Sequence, residues 1–329
     1  MPETVARPER PDVPAVSRPP MVVAVIPAYR TAAAIRSVIE GIPSLVNRVV
    51  VVDDASPDDL AGEVSAAADS RVVLLAHEKN RGVGAAMRTG IAAALELGAD
   101  VVVKLDSDGQ MDPARIPDLV APILSGEADF TKGNRFHDLR FIRAMPLVRR
   151  LGNLGLSFLV KAASGYWSVF DPCNGFLALR APRLREMRLE MLADRYFFEI
   201  SLLCEAYLTR AVLRDVPLPP RYGDEVSSLS LAGSLVEFLP RLGGRLVRRF
   251  GYAYFLRDFN LVSVLLCGGL PLLLFGMLWS ALHWYRSYAT GVVATTGTVI
   301  IGALTIILGF QLLLQAVVLD VQSEPGRPR

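Results

Sequence analysis

An α/β fold, with a mostly parallel β-sheet, flanking helices and a membrane-spanning helical hairpin after it, is what this 329-residue sequence predicts. Three observations carry that expectation. Short β-branched runs alternate with Ala-rich stretches between Met21 and about Phe136, the pattern of a parallel sheet covered by helices. Polar residues collect directly after several of those runs, where open α/β sheets bind ligands. The apolar fraction of 52% is high for a soluble protein, and the excess is concentrated beyond Asn260 rather than spread evenly. The length also exceeds that of a usual single domain, so one large α/β unit with an appendage is expected.

Taken in order, residues 1–20 are rich in Pro and Arg and lack an apolar core segment. They read as a disordered tail rather than a signal peptide. Strands are expected at Val22 to Pro27, Arg48 to Asp53, Val72 to Ala76, Val101 to Leu105 and Asp129 to Lys132, within a domain spanning residues 21–230. Tyr29, Asp53, Asp54, Asn80, Asp106 and Asp108 follow those strands, which places a cleft at the carboxyl edge of the sheet.

Two later segments are amphipathic and basic. The first lies within residues 139–165 and carries Arg140, Arg143, Arg149 and Arg150. The second, within a juxtamembrane segment at 231–259, carries Arg241, Arg245, Arg248 and Arg249. Such helices lie in a membrane interface, or else pack conventionally with solvated Arg faces. In the first segment Leu147, Val148, Leu151 and Leu154 would take the apolar side and Arg149-Arg150 the headgroup side.

Leu261 to Leu282 and Val292 to Leu319 contain no charge, and each is long enough to cross a bilayer, giving two transmembrane helices within 260–320 and a tail at 321–329. A buried hairpin of a soluble protein is the competing reading. Trp279, Trp284, Tyr285 and Tyr288 cluster where the first run ends, as at a membrane–water boundary. Arg286 alone marks the connection, whereas Arg248, Arg249 and Arg257 precede the first span and Arg327 and Arg329 follow the second. The positive-inside rule then puts the α/β domain and both termini in the cytoplasm of a multi-pass protein of the plasma (inner) membrane.

Lys+Arg 35 against Asp+Glu 33 leaves a net charge of +2, which excludes a nucleic-acid binder driven by bulk charge. Only Lys79, Lys104, Lys132 and Lys161 are lysines, so Arg clusters carry less information here than usual. Cys173, Cys204 and Cys267 are scattered without metal or disulfide spacing, as in a reduced cytosolic domain.

The strongest chemical signal is Lys104-Leu105-Asp106-Ser107-Asp108-Gly109-Gln110, two carboxylates two residues apart at the end of an apolar strand. Such a pair can share one hard cation, Mg²⁺ or Mn²⁺, leaving coordination sites open for a substrate diphosphate. Alone, the same pair serves equally as a solvated turn. Asp53-Asp54-Ala55-Ser56 is a second acidic pair at a strand end, suited to a ribose or base edge, or to capping the helix that Ser56-Pro57-Asp58 announces. Asn80-Arg81-Gly82-Val83-Gly84 precedes a helix, where close backbone approach and free amides would suit an anion.

Ile26-Pro27-Ala28-Tyr29, Val52-Asp53-Asp54-Ala55-Ser56, Asn80-Arg81-Gly82, Asp106-Ser107-Asp108-Gly109-Gln110, Gly133-Asn134-Arg135-Phe136 and Asn174-Gly175-Phe176 occur in that order. Together they resemble family 2 glycosyltransferases of the Rossmann-like GT-A fold, more narrowly the membrane-anchored polyprenyl-phosphate sugar transferases of the dolichol-phosphate mannose synthase type. The resemblance covers about residues 21–230. It implies a nucleotide pocket at Pro27, Ala28, Tyr29, Asp53, Asp54, Asn80, Gly82 and Lys104, a metal held by Asp106, Asp108 and Gln110, and phosphate recognition by Arg135. Glu199 stands where related enzymes carry an acid near the acceptor, the bland alternative being a helix-surface acid. Relatives commonly have an Asn-Glu pair after the Tyr, whereas this chain has Arg30-Thr31, so an acidic contact to base or ribose is not carried over.

The activity implied is metal-dependent, inverting transfer of a sugar from a UDP- or GDP-linked donor to a polyprenyl phosphate at a lipid bilayer. Charge developing on the leaving diphosphate calls for the metal at Asp106 and Asp108. A phosphate monoester with a second pKa near ~6 is already largely dianionic and needs no side-chain base. It does need positive charge, for which Arg135, Arg149 and Arg150 are the candidates. Two rival readings are a polysaccharide or protein acceptor, against which the absence of a Gln-x-x-Arg-Trp motif counts, and a non-catalytic nucleotide-sugar-binding scaffold. Homo-oligomerisation is left open.

Overall fold

The computed structural model describes residues 18–134, 147–218 and 231–326, the side chains at 147–151, 153 and 231–237 excepted. Arg135, most of the N-terminal tail, residues 139–146, Arg327 and Arg329 therefore lie outside the described residues. The chain forms two compact units, Met1–Ser157 with Val169–Ser234, and Phe158–Ser168 with Leu235–Arg329.

In the first unit the described strands are β1 (Val22–Ala28), β2 (Arg48–Asp53), β3 (Val72–Ala76), β4 (Val101–Lys104), β5 (Phe130–Asn134), β6 (Leu177–Arg180) and β7 (Leu213–Pro217). They form one sheet in the order β3-β2-β1-β4-β6-β5-β7. The pairs β3/β2, β2/β1, β1/β4 and β5/β7 are parallel, while β6 runs antiparallel between β4 and β5. Every residue of β1 is buried, as expected of a central strand covered on both faces. Helices α1 (Ala32–Glu40), α2 (Leu60–Ala66), α3 (Val83–Glu96) and α4 (Ile116–Leu124) alternate with the first five strands. In α1 the buried residues Ile35, Val38 and Ile39 recur at helical spacing, and they join Ile26, Val49, Val51, Leu105 and Leu119 in one core cluster. Then come α5 (Leu147–Ser164), which from Phe158 on belongs to the second unit, α6 (Ala181–Glu186) and α7 (Phe198–Leu208).

The second unit contains α8 (Leu231–Gly251) from Leu235 on, a π-helical turn at Tyr252–Arg257, α9 (Leu261–Thr290) and α10 (Thr296–Gln322). Asn260 and Ser263 form a capping box that starts α9, and Gly291 in the left-handed region, φ +68°, ends it. The first span is longer than its uncharged run. Trp284, Tyr285, Arg286 and Tyr288 continue the helix, and the connection shrinks to residues 291–295. Thirty residues rise about 45 Å, more than a hydrocarbon core of about 30 Å, so the last two turns would reach headgroup depth. The two helices approach backbone to backbone through glycines: a Cβ at Gly276 would stand 2.8 Å from the Ile306 amide nitrogen, and one at Gly309 2.5 Å from that of Leu273. With mean hydropathies of 2.4 and 2.2, both are long and apolar enough to cross a membrane.

A single carboxylate organises the foot of this unit. Asp320, in the last turn of α10, is buried and takes a bidentate grip from Arg249 Nη1 at 2.7 Å and Nη2 at 2.9 Å. It also accepts from Tyr254 Oη at 2.5 Å and Trp167 Nε1 at 3.2 Å. Arg249 Nη2 reaches the Ala162 carbonyl as well, at 2.9 Å. The sequence reading of Arg249 as one of several solvated or interfacial charges is corrected here. A guanidinium flush against apolar helices needs a carboxylate, and the chain supplies Asp320 one residue beyond the uncharged run.

Candidate active site

The carboxyl ends of β1, β2 and β4 are stitched together by short polar side chains. Ser107, between the two acids of the Asp106–Asp108 pair, donates to the Pro27 carbonyl at 2.9 Å and accepts from Thr31 Oγ1 at 2.9 Å. Ser56 Oγ receives the Arg30 amide at 2.9 Å, and Asp53 Oδ1 receives the Ser56 amide at 2.8 Å. The Ala32 amide donates to Asp58 Oδ2 at 2.9 Å. Thr31 and Arg30, the departures from the commoner pair, thus fix the loop after β1 against its neighbours, and Arg30 adopts φ +59° to do so. Tyr29 is 40% exposed beside this loop, with the Arg30 guanidinium 5.3 Å from its ring centre.

The second acidic pair divides. Asp53 stays half-buried at the cleft edge, whereas Asp54 is turned inward and buried. Its oxygens accept from His77 Nδ1 at 2.6 Å and from the Arg81 and Gly82 amides at 2.9 and 2.7 Å. His77 Nε2 in turn lies 2.9 Å from Thr89 Oγ1. Burial alone would raise the Asp54 carboxyl, but the Arg81 amide, His77 and the Gly82 amide outweigh it and hold it below the usual carboxylate value.

Two amides at the start of α3 are likewise spoken for. Gly84 and Ala85 both donate to the Asp194 carbonyl, at 2.7 and 3.1 Å. A Cβ at Gly84 would overlap the Ala193 carbonyl, and Gly82 has φ +96°. The glycines of the Asn80–Gly84 loop therefore admit the chain at 193–195. Of the amides that the sequence offered to an anion, those of Arg81, Gly82, Gly84 and Ala85 are taken by Asp54 and Asp194. Asn80 itself is exposed.

Asp54 therefore holds a loop. Asp54→Ala is expected to cost about 2–4 kcal/mol of stability, since three donors lose their acceptor inside the protein. The carboxylate's folded value is depressed, so its contribution is complete above the unfolded pKa of about 3.9 and disappears as pH falls through the lower folded value. Denaturant melts of both proteins should differ at pH 7 and converge toward pH 2.

At the end of β4 three charges come together. The Lys104 ammonium is fully buried and bonded to Asp106 Oδ1, and it lies 3.1 Å from Glu199 Oε1 in the first turn of α7. Burial alone would lower the Lys104 ammonium, yet Asp106 and then Glu199 outweigh that and hold it above its ordinary value. Glu199 is thus paired inside the site, 13% exposed, rather than a free helix-surface acid. Lys104 reaches carboxylates instead of the cleft. Asp108 is exposed, with the Gln110 amide donating to its Oδ1 at 2.9 Å, and Gly109 reverses the chain at φ +77°. Gln110 is exposed at the end of the same turn.

The donor chemistry of Asp106 and Asp108 fits a hard divalent cation held by one or two carboxylates. Space beside Asp106 is kept clear, since a Cβ at Gly175 would lie 2.7 Å from its Oδ2 and 2.5 Å from Lys104 Nζ. Among the described residues no three His, Cys, Asp or Glu side chains converge as a protein-only metal cage. Arg135 lies outside the described residues, and Arg149 and Arg150 fall on α5 with their side chains outside them.

Residues 23–187 match the family model of glycosyl transferase family 2. The chain belongs to that family. This glycosyltransferase is 30% identical over 213 residues, 60% of this chain and 84% of the other, to a UDP-N-acetylglucosamine–dolichyl-phosphate N-acetylglucosaminyltransferase of Methanococcus voltae. It is 27% identical over 237 residues, 68% of this chain and 93% of the other, to an undecaprenyl-phosphate mannosyltransferase of Micrococcus luteus. Among solved structures it is similar to a glucosyl-3-phosphoglycerate synthase of Mycobacterium tuberculosis in complex with Mg²⁺ and UDP, at 25% identity and TM-score 0.53 over 70% of this chain and 79% of that one. The described sheet, mostly parallel with one antiparallel strand inserted, is of the same GT-A kind.

Sequence reasoning missed the stitching residues Ser107, Thr31 and Ser56, the Asp54–His77 pair and the part of Asp194. Their one advance signal is position, since each follows a strand end directly or, for Asp194, precedes a helix by a few residues.

Proposed function

We propose that this glycosyltransferase transfers a sugar from a UDP- or GDP-linked donor to a polyprenyl phosphate, in a metal-dependent single displacement at the cytoplasmic face of a membrane. The observation that carries the reading is the pairing, in one chain, of a family 2 site at the carboxyl edge of the sheet with two apolar helices whose large side chains remain uncovered. Leu278 is 61% exposed, Ile307 63% and Phe310 59%, surface that lipid would cover. The names of the Methanococcus and Micrococcus relatives support a polyprenyl-phosphate acceptor.

On this reading Asp106 and Asp108 hold Mg²⁺ or Mn²⁺, which when bound stabilises charge on the leaving diphosphate. Lys104 and Glu199 fix Asp106 from behind. Tyr29, Asp53 and the stitched loops after β1 and β2 form the wall that orients the nucleotide. The acceptor phosphate attacks the sugar carbon directly, its oxygen forming the new bond as the bond to the diphosphate breaks, which inverts that carbon. No side chain needs to remove a proton, because the monoester is largely dianionic at neutral pH.

The test is steady-state kinetics in detergent micelles, where bulk attraction to anionic membrane is absent. Arg135→Ala and Arg149→Ala should each raise KM for polyprenyl phosphate or lower kcat by about one to two decades, with donor KM nearly unchanged. Lys at either position should restore part of the loss, lacking the planar fork. Unchanged acceptor kinetics in both Ala variants would place the phosphate elsewhere.

A further inference from the structure

Lys132 is the second fully buried lysine of the domain, and neither the motifs nor the mechanism above uses it. It lies in the same row of the sheet as Lys104: Leu177 of β6 is paired with Lys104 on one side and with Lys132 on the other. Directly paired residues project from the same face, so the two ammonium groups rise side by side. Above them the chain at Asn174-Gly175-Phe176 turns into β6. Lys132 Nζ donates to the Asn174 carbonyl. The next residue, Gly175, is the one whose absent Cβ leaves room for Lys104 Nζ and Asp106 Oδ2. The turn is clamped to β5 by two bonds, Asn174 Nδ2 donating to the Gly133 carbonyl at 2.7 Å and the Gly133 amide donating to the Phe176 carbonyl at 2.9 Å, and within the turn Asn174 Oδ1 accepts the Phe176 amide at 3.0 Å.

A buried ammonium is an expensive way to fill space, and methionine would occupy a similar volume without desolvating a charge. What methionine cannot supply is a donor to the Asn174 carbonyl. Nor does the lysine rest in comfort there, since burial pushes it below its ordinary value despite the opposing pull of Asp171 and Glu199.

We propose that Lys132 is a positioning residue, whose ammonium holds the Asn174–Gly175 turn against Lys104 and Asp106 and thereby fixes the carboxylate that takes the cation. This rests on the reading of Asp106 as a cation ligand. The two lysines then divide the work: Lys104 grips the carboxylate, and Lys132 grips the peptide that closes over it. The position of the glycine is explained with it, because any side chain at 175 would lift the turn off both groups.

The experiment uses the full chain in detergent, with two readouts that need no turnover. The first is Mn²⁺ affinity, from the electron paramagnetic resonance signal of free Mn²⁺ with saturating UDP and, separately, GDP. The second is hydrogen–deuterium exchange in peptides covering residues 171–177. Lys132→Met should weaken Mn²⁺ by about ten-fold, the lower end of what loss of a group supporting a metal ligand costs, and should speed exchange at 171–177 while β1 and β2 keep wild-type rates. Gly175→Ala, which removes no charge, should do the same, and it decides the matter if Lys132→Met does not fold. Unchanged Mn²⁺ affinity with unchanged exchange overturns the proposal. A wild type that binds no Mn²⁺ with either nucleotide overturns the metal reading of Asp106 instead, and the exchange rates alone then decide whether Lys132 holds the turn.

Discussion

Asp108→Asn is expected to lower kcat/KM for sugar transfer by about 10³-fold or more, close to 4 kcal/mol of transition-state stabilisation, while the protein stays folded. The two acids of the pair are not equivalent for this purpose. Asp106 compensates the buried Lys104 ammonium, so neutralising it also unbalances a charge inside the domain and confounds stability with catalysis. Asp108 is exposed, and the Gln110 amide donates to its Oδ1. Asparagine keeps an oxygen at that place and so preserves the turn. What it loses is the negative charge that a hard cation requires. Melting curves of the two proteins should superimpose while nucleoside diphosphate release collapses. Near-normal turnover, together with indifference of the wild type to excess chelator, would remove the metal from the mechanism.

Asp320→Ala carries the largest expected effect on stability, about 3–5 kcal/mol, because it strands a buried guanidinium. Arg249 would lose both Oδ contacts, and Tyr254 and Trp167 would each lose their bond to the carboxylate in the same step. The ion pair itself is weak evidence for net stability, since paired charges must be desolvated. The informative comparison is therefore the double variant Arg249→Met with Asp320→Leu, which removes both charges and should recover most of the loss. Denaturant titration of the detergent-solubilised chain, followed by tryptophan fluorescence, measures all three proteins. A single variant as stable as the wild type would mean that Arg249 finds another partner or leaves its site.

Five strands were legible to within two residues at each end, four of them through Val-rich apolar runs and the fifth, Phe130–Asn134, through its place in the alternation of strands and helices. The other two were not. Leu177–Arg180 is four residues of mostly helix-forming types, and Leu213–Pro217 is a short edge strand in which Leu213 and Val216 are buried, a spacing that lacks the alternation of a strand. Both owe their state to neighbours: β6 pairs on each side with a strand already in place. In the site, the motifs named which loops meet but not what each side chain does there. Asp53 and Asp54 are adjacent in sequence, and alternation alone cannot tell which turns inward to His77. Lys104 and Glu199 are far apart in the sequence, so their pairing is purely a product of the fold. Asp320 was the most readable of the missed residues, a lone acid ending an apolar span, where an ionisable group ordinarily has an inward partner.

The acceptor is the centre of the account, and the mass of the lipid product tests it most directly. Purified full-length protein would be incubated with polyprenyl phosphate, Mg²⁺ or Mn²⁺ and a panel of UDP- and GDP-sugars. The account predicts a lipid whose mass has grown by one sugar residue, one nucleoside diphosphate released per lipid converted, and no product when chelator is present or when the lipid is polyprenol without phosphate. An unchanged lipid mass, with the sugar appearing instead on 3-phosphoglycerate or on a carbohydrate or protein acceptor, would contradict it.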